Sequence, residues 1–184
     1  MKGMKRLLYG VIAITLIGTA VNAQTASSTT KAPTKLTTAD ETKTPETLLV
    51  AIYAAISGPA GERDWDHFRT LFPPEARFTR TREKPGSSVE IQAMSVDDFI
   101  KVATDYFKNE AFYENGVVNK MQRYGRLVQA FSSYESRHAP GEKPFARGIN
   151  SVQMMSDGTR WWVVSIAWDE DRPGNPMPKA FAAK

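Results

Sequence analysis

Residues 161–169 read Trp161-Trp162-Val163-Val164-Ser165-Ile166-Ala167-Trp168-Asp169. Successive side chains of a strand point to opposite faces. Plain alternation sets Trp162, Val164, Ile166 and Trp168 on one face, and Trp161, Val163, Ser165 and Ala167 on the other. Both faces are largely apolar. A strand of that kind belongs in the middle of a sheet and is covered on both sides. The rest of the chain must therefore supply neighbouring strands and a covering layer.

The neighbours lie just upstream. Val117 to Tyr124, Leu127 to Arg137 and Arg147 to Met155 read as strands, rich in β-branched and aromatic residues. Gly141-Glu142-Lys143-Pro144 and Ser156-Asp157-Gly158-Thr159 are the turns between them. The Pro-rich tail, Arg172 to Lys184, is expected as coil against the body.

Before Glu110 the apolar period changes from two to helical. Ser95-Val96-Asp97-Asp98 reads as a capping box with Asp in place of the usual Glu. Val96, Phe99, Ile100, Ala103, Tyr106 and Phe107 then recur at helical spacing, which predicts a helix to about Glu110. Thr44-Pro45-Glu46 starts an earlier helix with a capping hydroxyl, Pro at the first position and an acid in the first turn. Leu48, Leu49, Ile52 and Ile56 give it an apolar face, and Gly58-Pro59 ends it. Asp64 caps a short helix with Trp65, Phe68, Leu71 and Phe72, stopped at Pro73-Pro74. Ala76 to Arg82 reads as a short strand and Lys84 to Ser88 as a turn. This order predicts an α+β domain, its N-terminal helices packed on a curved, mainly antiparallel sheet.

The N-terminal segment carries a different message. Lys2, Lys5 and Arg6 precede an uncharged apolar run, Leu7 to Ala20, and then Val21-Asn22-Ala23. That is a three-part secretory signal, with cleavage expected after Ala23. The run is short of the roughly 20 residues a spanning helix needs, so no stable membrane anchor is expected after cleavage. Residues 24–43, rich in Thr, Ser, Ala and Lys, read as a flexible tether. Residues 44–184 are the single domain, and the protein is expected to be secreted, to the periplasm.

Composition then bounds the function. The chain has 184 residues, no cysteine and a formal net charge of +4. Absence of cysteine excludes a disulfide framework, a thiol nucleophile and a thiolate metal site. Without signal and tether, 18 basic and 18 acidic residues remain, so the domain is neutral and nucleic-acid binding has no electrostatic basis. The two histidines, His67 and His138, are 71 residues apart and share no metal-ligand spacing. His67 reads as a boundary residue near the solvent side of its helix. No phosphate loop, Gly-x-Gly-x-x-Gly or Gly-x-Ser-x-Gly elbow occurs. No cofactor and no metal are expected.

The richest polar feature is Tyr134-Glu135-Ser136-Arg137. Alternation sets Ser132, Tyr134 and Ser136 on one face, and Ser133, Glu135 and Arg137 on the other. If the next strand pairs with this one, Glu135 meets Arg147 across strands. That arrangement reads either as a pocket acid oriented by Arg147 or Arg137 or, with more weight, as an ion pair stapling the sheet. Tyr134 with Asn150 is a second polar pair, able to orient a ligand carbonyl or hydroxyl. Trp161, Trp162 and Trp168 read first as core and second as ligand site or interface.

Arg63-Asp64-Trp65-Asp66-His67-Phe68-Arg69-Thr70-Leu71-Phe72, followed by Ala76-Arg77-Phe78, resembles the nuclear transport factor 2-like superfamily and its SnoaL-like branch. Asp157-Gly158-Thr159-Arg160-Trp161-Trp162-Val163-Val164 resembles that family's closing hairpin and strand. Ser132 to Arg137 and Arg147 to Gln153 are similar to an exported bacterial subgroup without assigned function. The resemblance spans roughly residues 44–178. It implies a cone, with a curved sheet wrapped on the helices and a pocket between them. Its members include isomerases, dehydratases, cyclases, binding modules and dimerisation domains. The acid and the Tyr/Asp pair of the ketosteroid isomerase branch have no counterpart that can be placed on this sequence.

The expected function is thus an exported protein that binds a small, partly apolar molecule, with Tyr134, Glu135, Arg147 and Asn150 as polar contacts. Two alternatives remain: an acid–base enzyme acting on a carbonyl compound, and a module that dimerises or docks a partner through its sheet face.

Overall fold

The computed structural model describes residues 37–83 and 88–182. The signal over 1–23 lies outside them, as does most of the segment read as a tether. Its C-terminal end does not: Thr38–Glu41 is a helical turn (α1), capped by Thr37, and Glu41 and Thr42 are buried.

Helix α2, Pro45–Ile56, begins as its sequence requires. Thr44 Oγ1 accepts from the Thr47 backbone, and the Thr47 hydroxyl oxygen accepts from the Thr44 N–H in return. The last carbonyl of the helix, that of Ile56, and the loop after it are held by the Arg63 side chain. Arg63 donates to Ile56 O at 3.0 Å, Pro59 O at 2.8 Å and Gly58 O at 2.9 Å, and its guanidinium stands 4.8 Å from the Phe107 ring centroid. Helix α3, Trp65–Arg69, is capped by Asp64. Helix α4, Val96–Phe107, has the predicted Ser95–Asp98 capping box. These helices bury Leu48, Leu49, Ile52, Phe68, Ile100 and Phe107 against the sheet. Phe68, Phe78 and Phe99 stack in this layer, with Phe78 and Phe99 at 4.3 Å between centroids.

The sheet has six strands: β1 (Arg77–Glu83), β2 (Val89–Met94), β3 (Tyr113–Tyr124), β4 (Leu127–Arg137), β5 (Ala146–Ser156) and β6 (Trp161–Glu170). Their spatial order is β2-β1-β6-β5-β4-β3, so β6 is interior, as its two apolar faces require. All pairings are antiparallel except β1 with β6, which is parallel. The run of antiparallel strands therefore holds from β3 to β6, while the β1–β2 hairpin joins the far edge. Strand β2 is absent from the sequence reading. It is an edge strand with Val89 and Ile91 exposed, and only Met94 is buried, so its alternation carries little inside–outside contrast.

Two bulges decide which residues face the helices. In β3, Gly116 pairs with Tyr134 and Val118 with Ser133, so Val117 is an extra residue. In β6, Ser165 pairs with Gln153 and Val163 with Met154, so Val164 is extra. An extra residue reverses the alternation beyond it. The expected four-residue face Trp162, Val164, Ile166, Trp168 does not exist as such. Trp161 and Val163 face inward with Ile166 and Trp168, and Trp162 faces away.

Candidate functional site

Register turns the inner face into rows. Met121, Ala130, Val152, Ile166, Phe78 and Met94 are successive cross-strand neighbours from β3 to β2, and all are apolar. The next row is Asn119, Ser132, Asn150, Trp168, Arg80 and Gln92. Beyond it come Gly116, Tyr134, Gly148 and Glu170, and then Glu114, Ser136 and Ala146. The inner face thus grades from apolar to polar along the strands.

A cavity of about 430 Å³ lies between this face and the helices. Ile52, Phe68, Phe78, Phe99, Phe107 and Phe112 are among its apolar walls. Glu114, Tyr134, Ser136, Asn150 and Glu170 make its polar end. Size and lining are those of small-molecule sites.

The polar end is ordered by hydrogen bonds. The Ser132 hydroxyl donates to Asn119 Oδ1 at 2.5 Å, so the Tyr53 hydroxyl must donate to Ser132 across their 2.6 Å contact. Tyr53 in turn accepts from Asn150 Nδ2 at 3.1 Å. Burial pushes the Tyr53 phenol up to about 12, so it remains a donor. Ser136 Oγ donates to Glu114 Oε2 at 2.7 Å. The Glu114 backbone is fixed to the end of α2, its N–H donating to Ser57 Oγ at 2.9 Å. Burial pushes the Glu114 carboxyl up to about 7, against the pull of Ser136 and Asn150, and the Glu170 charge adds to the rise. Tyr134 is 5 % exposed, and its hydroxyl makes no hydrogen bond among the described residues. Burial, then the charges of Glu114 and Glu170, raises its pKa far above that of an ordinary phenol.

Of the four residues expected as polar contacts, Tyr134 and Asn150 line the cavity. Glu135 and Arg147 do not. They are register partners, as pairing of the strands requires, but no ion pair joins them. Glu135 pairs with Arg137 on its own strand face, and Arg147 Nη2 donates to Asp171 Oδ2 at 2.5 Å. Asn150 meets Tyr53 rather than Tyr134, since the two lie in different rows. His67 Nε2 lies 3.0 Å from Glu41 Oε2, the two side chains 20 % and 9 % exposed, and His67 does not line the cavity. Among the tryptophans, Trp161 is core and Trp168 lines the cavity. Trp162 Nε1 donates to Asp157 Oδ2 at 2.7 Å.

Glu114 is the residue that sequence reasoning missed. It precedes Val117, where the strand was expected to begin, and β3 in fact starts at Tyr113. One signal was present: Phe112, Glu114 and Gly116 keep a period of two, and a glycine inside a strand marks a bulge.

Neither a protein-family model nor a curated protein matches the sequence. Solved structures do. One is a protein of unknown function with a cystatin-like fold from Nostoc punctiforme, 8% identical, with a TM-score of 0.51 over 71% of this chain and 95% of that one. A second is a putative calcium/calmodulin-dependent protein kinase type II association domain from Thiobacillus denitrificans, 12% identical, with a TM-score of 0.51 over 71% and 98% of the two chains. A third is an NTF2-like protein of unknown function from Silicibacter pomeroyi, 18% identical, with a TM-score of 0.47 over 68% and 92%. Identities this low speak to the fold alone. Helices on a mainly antiparallel six-stranded sheet give the chain the fold shared by the cystatin-like Nostoc protein and the Thiobacillus association domain.

Proposed function

We propose that the protein is an exported binding protein for a small, partly apolar molecule held between helices and sheet. One observation carries the reading: an aromatic-walled cavity of about 430 Å³ whose polar groups gather at one end. Export is supported by the charge and hydropathy pattern of residues 1–23. The test is native mass spectrometry of the full chain, as processed by its own host, beside an Ala103→Trp variant. Ala103 is 7 % exposed and lines the cavity, so the indole would fill it. A co-purifying small molecule lost in the variant supports the reading. A ligand-free dimer overturns it and favours a module that pairs through its sheet face.

A specific observation favours a second reading, acid–base chemistry on a carbonyl compound. Glu114 sits with a carboxyl pushed up to about 7 in the same cavity as the unpartnered Tyr134 hydroxyl. A carboxyl near neutrality can both take and return a proton, and a free phenol can donate to a carbonyl oxygen. Exchange of α-hydrogens for deuterium in small ketones, lost in Glu114→Gln, would support this reading.

A further inference from the structure

The polar end of the cavity has a surplus of acceptors. Apart from the Tyr134 hydroxyl, which can both donate and accept, its donors are engaged within the protein. Ser136 gives its proton to Glu114, Asn150 gives its amide to Tyr53, and Tyr53 gives its proton to Ser132. What faces the cavity is acceptor-rich: the Glu114 carboxyl, the carboxylate of Glu170 and the Tyr134 hydroxyl oxygen. Neither Glu114 nor Glu170 makes an ion pair with a described residue. Among the described residues that line the cavity, Arg80 is the one basic side chain. It stands on β1, three strands from Tyr134 and four from Glu114, but beside β6, where its register partner Trp168 lies two residues before Glu170. Its Nε donates to Gln92 Oε1 at 3.0 Å, and its guanidinium lies 5.9 Å from the Trp168 ring centroid. Arg80 is thus engaged by Gln92 and Trp168 and makes no ion pair with Glu170 among the described residues.

Tyr134 is the second, independent observation. Its side chain is 95 % buried, yet its hydroxyl is unpartnered and faces the cavity. The ring lies against Gly148, and its register row continues to Glu170 on the next strand. A hydroxyl that opens into the cavity from a buried ring, with no protein partner, is placed for a ligand atom. The walls nearest that end include Phe112, Phe145 and Tyr106, whose ring faces attract cations.

We propose that the cavity takes a molecule with an apolar body and a single cationic amine head, the amine seated among Glu114, Glu170 and the Tyr134 hydroxyl. The inference rests on the binding reading above and names its ligand class. An ammonium has donors only, and so matches a site that offers acceptors. An anionic head at this end would meet two carboxylates, while the basic side chain of the cavity, Arg80, is tied to Gln92.

Three probes with one body separate the possibilities: 4-phenylbutylamine, 4-phenylbutanol and 4-phenylbutanoate, titrated calorimetrically into the purified full chain at pH 7.5. The amine should bind at least tenfold more tightly than the alcohol, and the carboxylate should bind most weakly. Glu114→Gln and Glu170→Gln should each reduce the amine's advantage severalfold while leaving the alcohol within about twofold. If alcohol or carboxylate binds as well as the amine, the amine inference falls and the binding cavity stands. If none of the three binds wild type and the Ala103→Trp variant is likewise silent, both fall. Unchanged amine affinity in both Gln variants, with the alcohol still bound, overturns the assignment of the head group alone.

Discussion

The Tyr134 ring occupies the space left open by the missing side chain of Gly148, its register partner on the next strand. A Cβ added at Gly148 would sit 2.6 Å from the Tyr134 hydroxyl and 2.3 Å from the Asp169 carbonyl oxygen. The tyrosine could turn aside, but the carbonyl belongs to the backbone of β6. Gly148→Ala should therefore destabilise the fold by about 1–3 kcal/mol, read as a lower urea midpoint. Pairing it with Tyr134→Phe should not restore the loss, because the backbone contact persists.

Glu114 makes stability depend on pH in an unusual direction. Its ordinary value is 4.5 and its folded value about 7, so between these the folded state holds the proton more tightly than the unfolded state. Stability from this group is complete below about pH 4.5 and declines as pH rises to about 7. The decline is about 3 kcal/mol, taking 1.36 kcal/mol per pH unit. Comparing urea unfolding of wild type and Glu114→Gln isolates it. The variant should gain on wild type between pH 4 and pH 8, and carbon-13 titration of the Glu114 carboxyl should show a midpoint near neutrality.

The turn before β6 behaves in the opposite sense. Asp157 Oδ1 accepts from Thr159 N at 2.7 Å, Thr159 Oγ1 at 2.6 Å and Arg160 N at 2.9 Å, while Oδ2 accepts from Trp162 Nε1 at 2.7 Å. These bonds, led by Thr159 and Trp162, hold the carboxyl well below the usual range. Its contribution is present above the unfolded value, near 4, and is lost as pH falls toward the folded one. Asp157→Ala should lower the melting temperature at pH 7, and the gap to wild type should narrow in acid.

The Asn150–Tyr53–Ser132–Asn119 chain predicts a polar-network penalty. Ser132 is fully buried, and its removal leaves the Tyr53 proton and the Asn119 oxygen without their partner. Ser132→Ala should cost about 1–3 kcal/mol. Tyr53→Phe combined with it should cost less than the sum of the two, because the pair then leaves together. A double-mutant cycle in urea measures the coupling.

The sequence alone determined the local elements and their broad layering. Capping chemistry at Thr44, Asp64 and Ser95 placed three helix starts, because those hydroxyl and carboxylate groups satisfy the first backbone N–H groups whatever the tertiary setting. Two apolar faces on residues 161–168 placed β6 inside the sheet. Tertiary structure alone decided which polar side chains share the cavity. Bulges at Val117 and Val164 each reverse the alternation, bringing Glu114 inward and moving Trp162 outward. Glu135 and Arg147 are opposite one another in register, yet each has an ionic partner elsewhere. A helix cap is settled within four residues, whereas a register row across six strands depends on every pairing and every bulge between them.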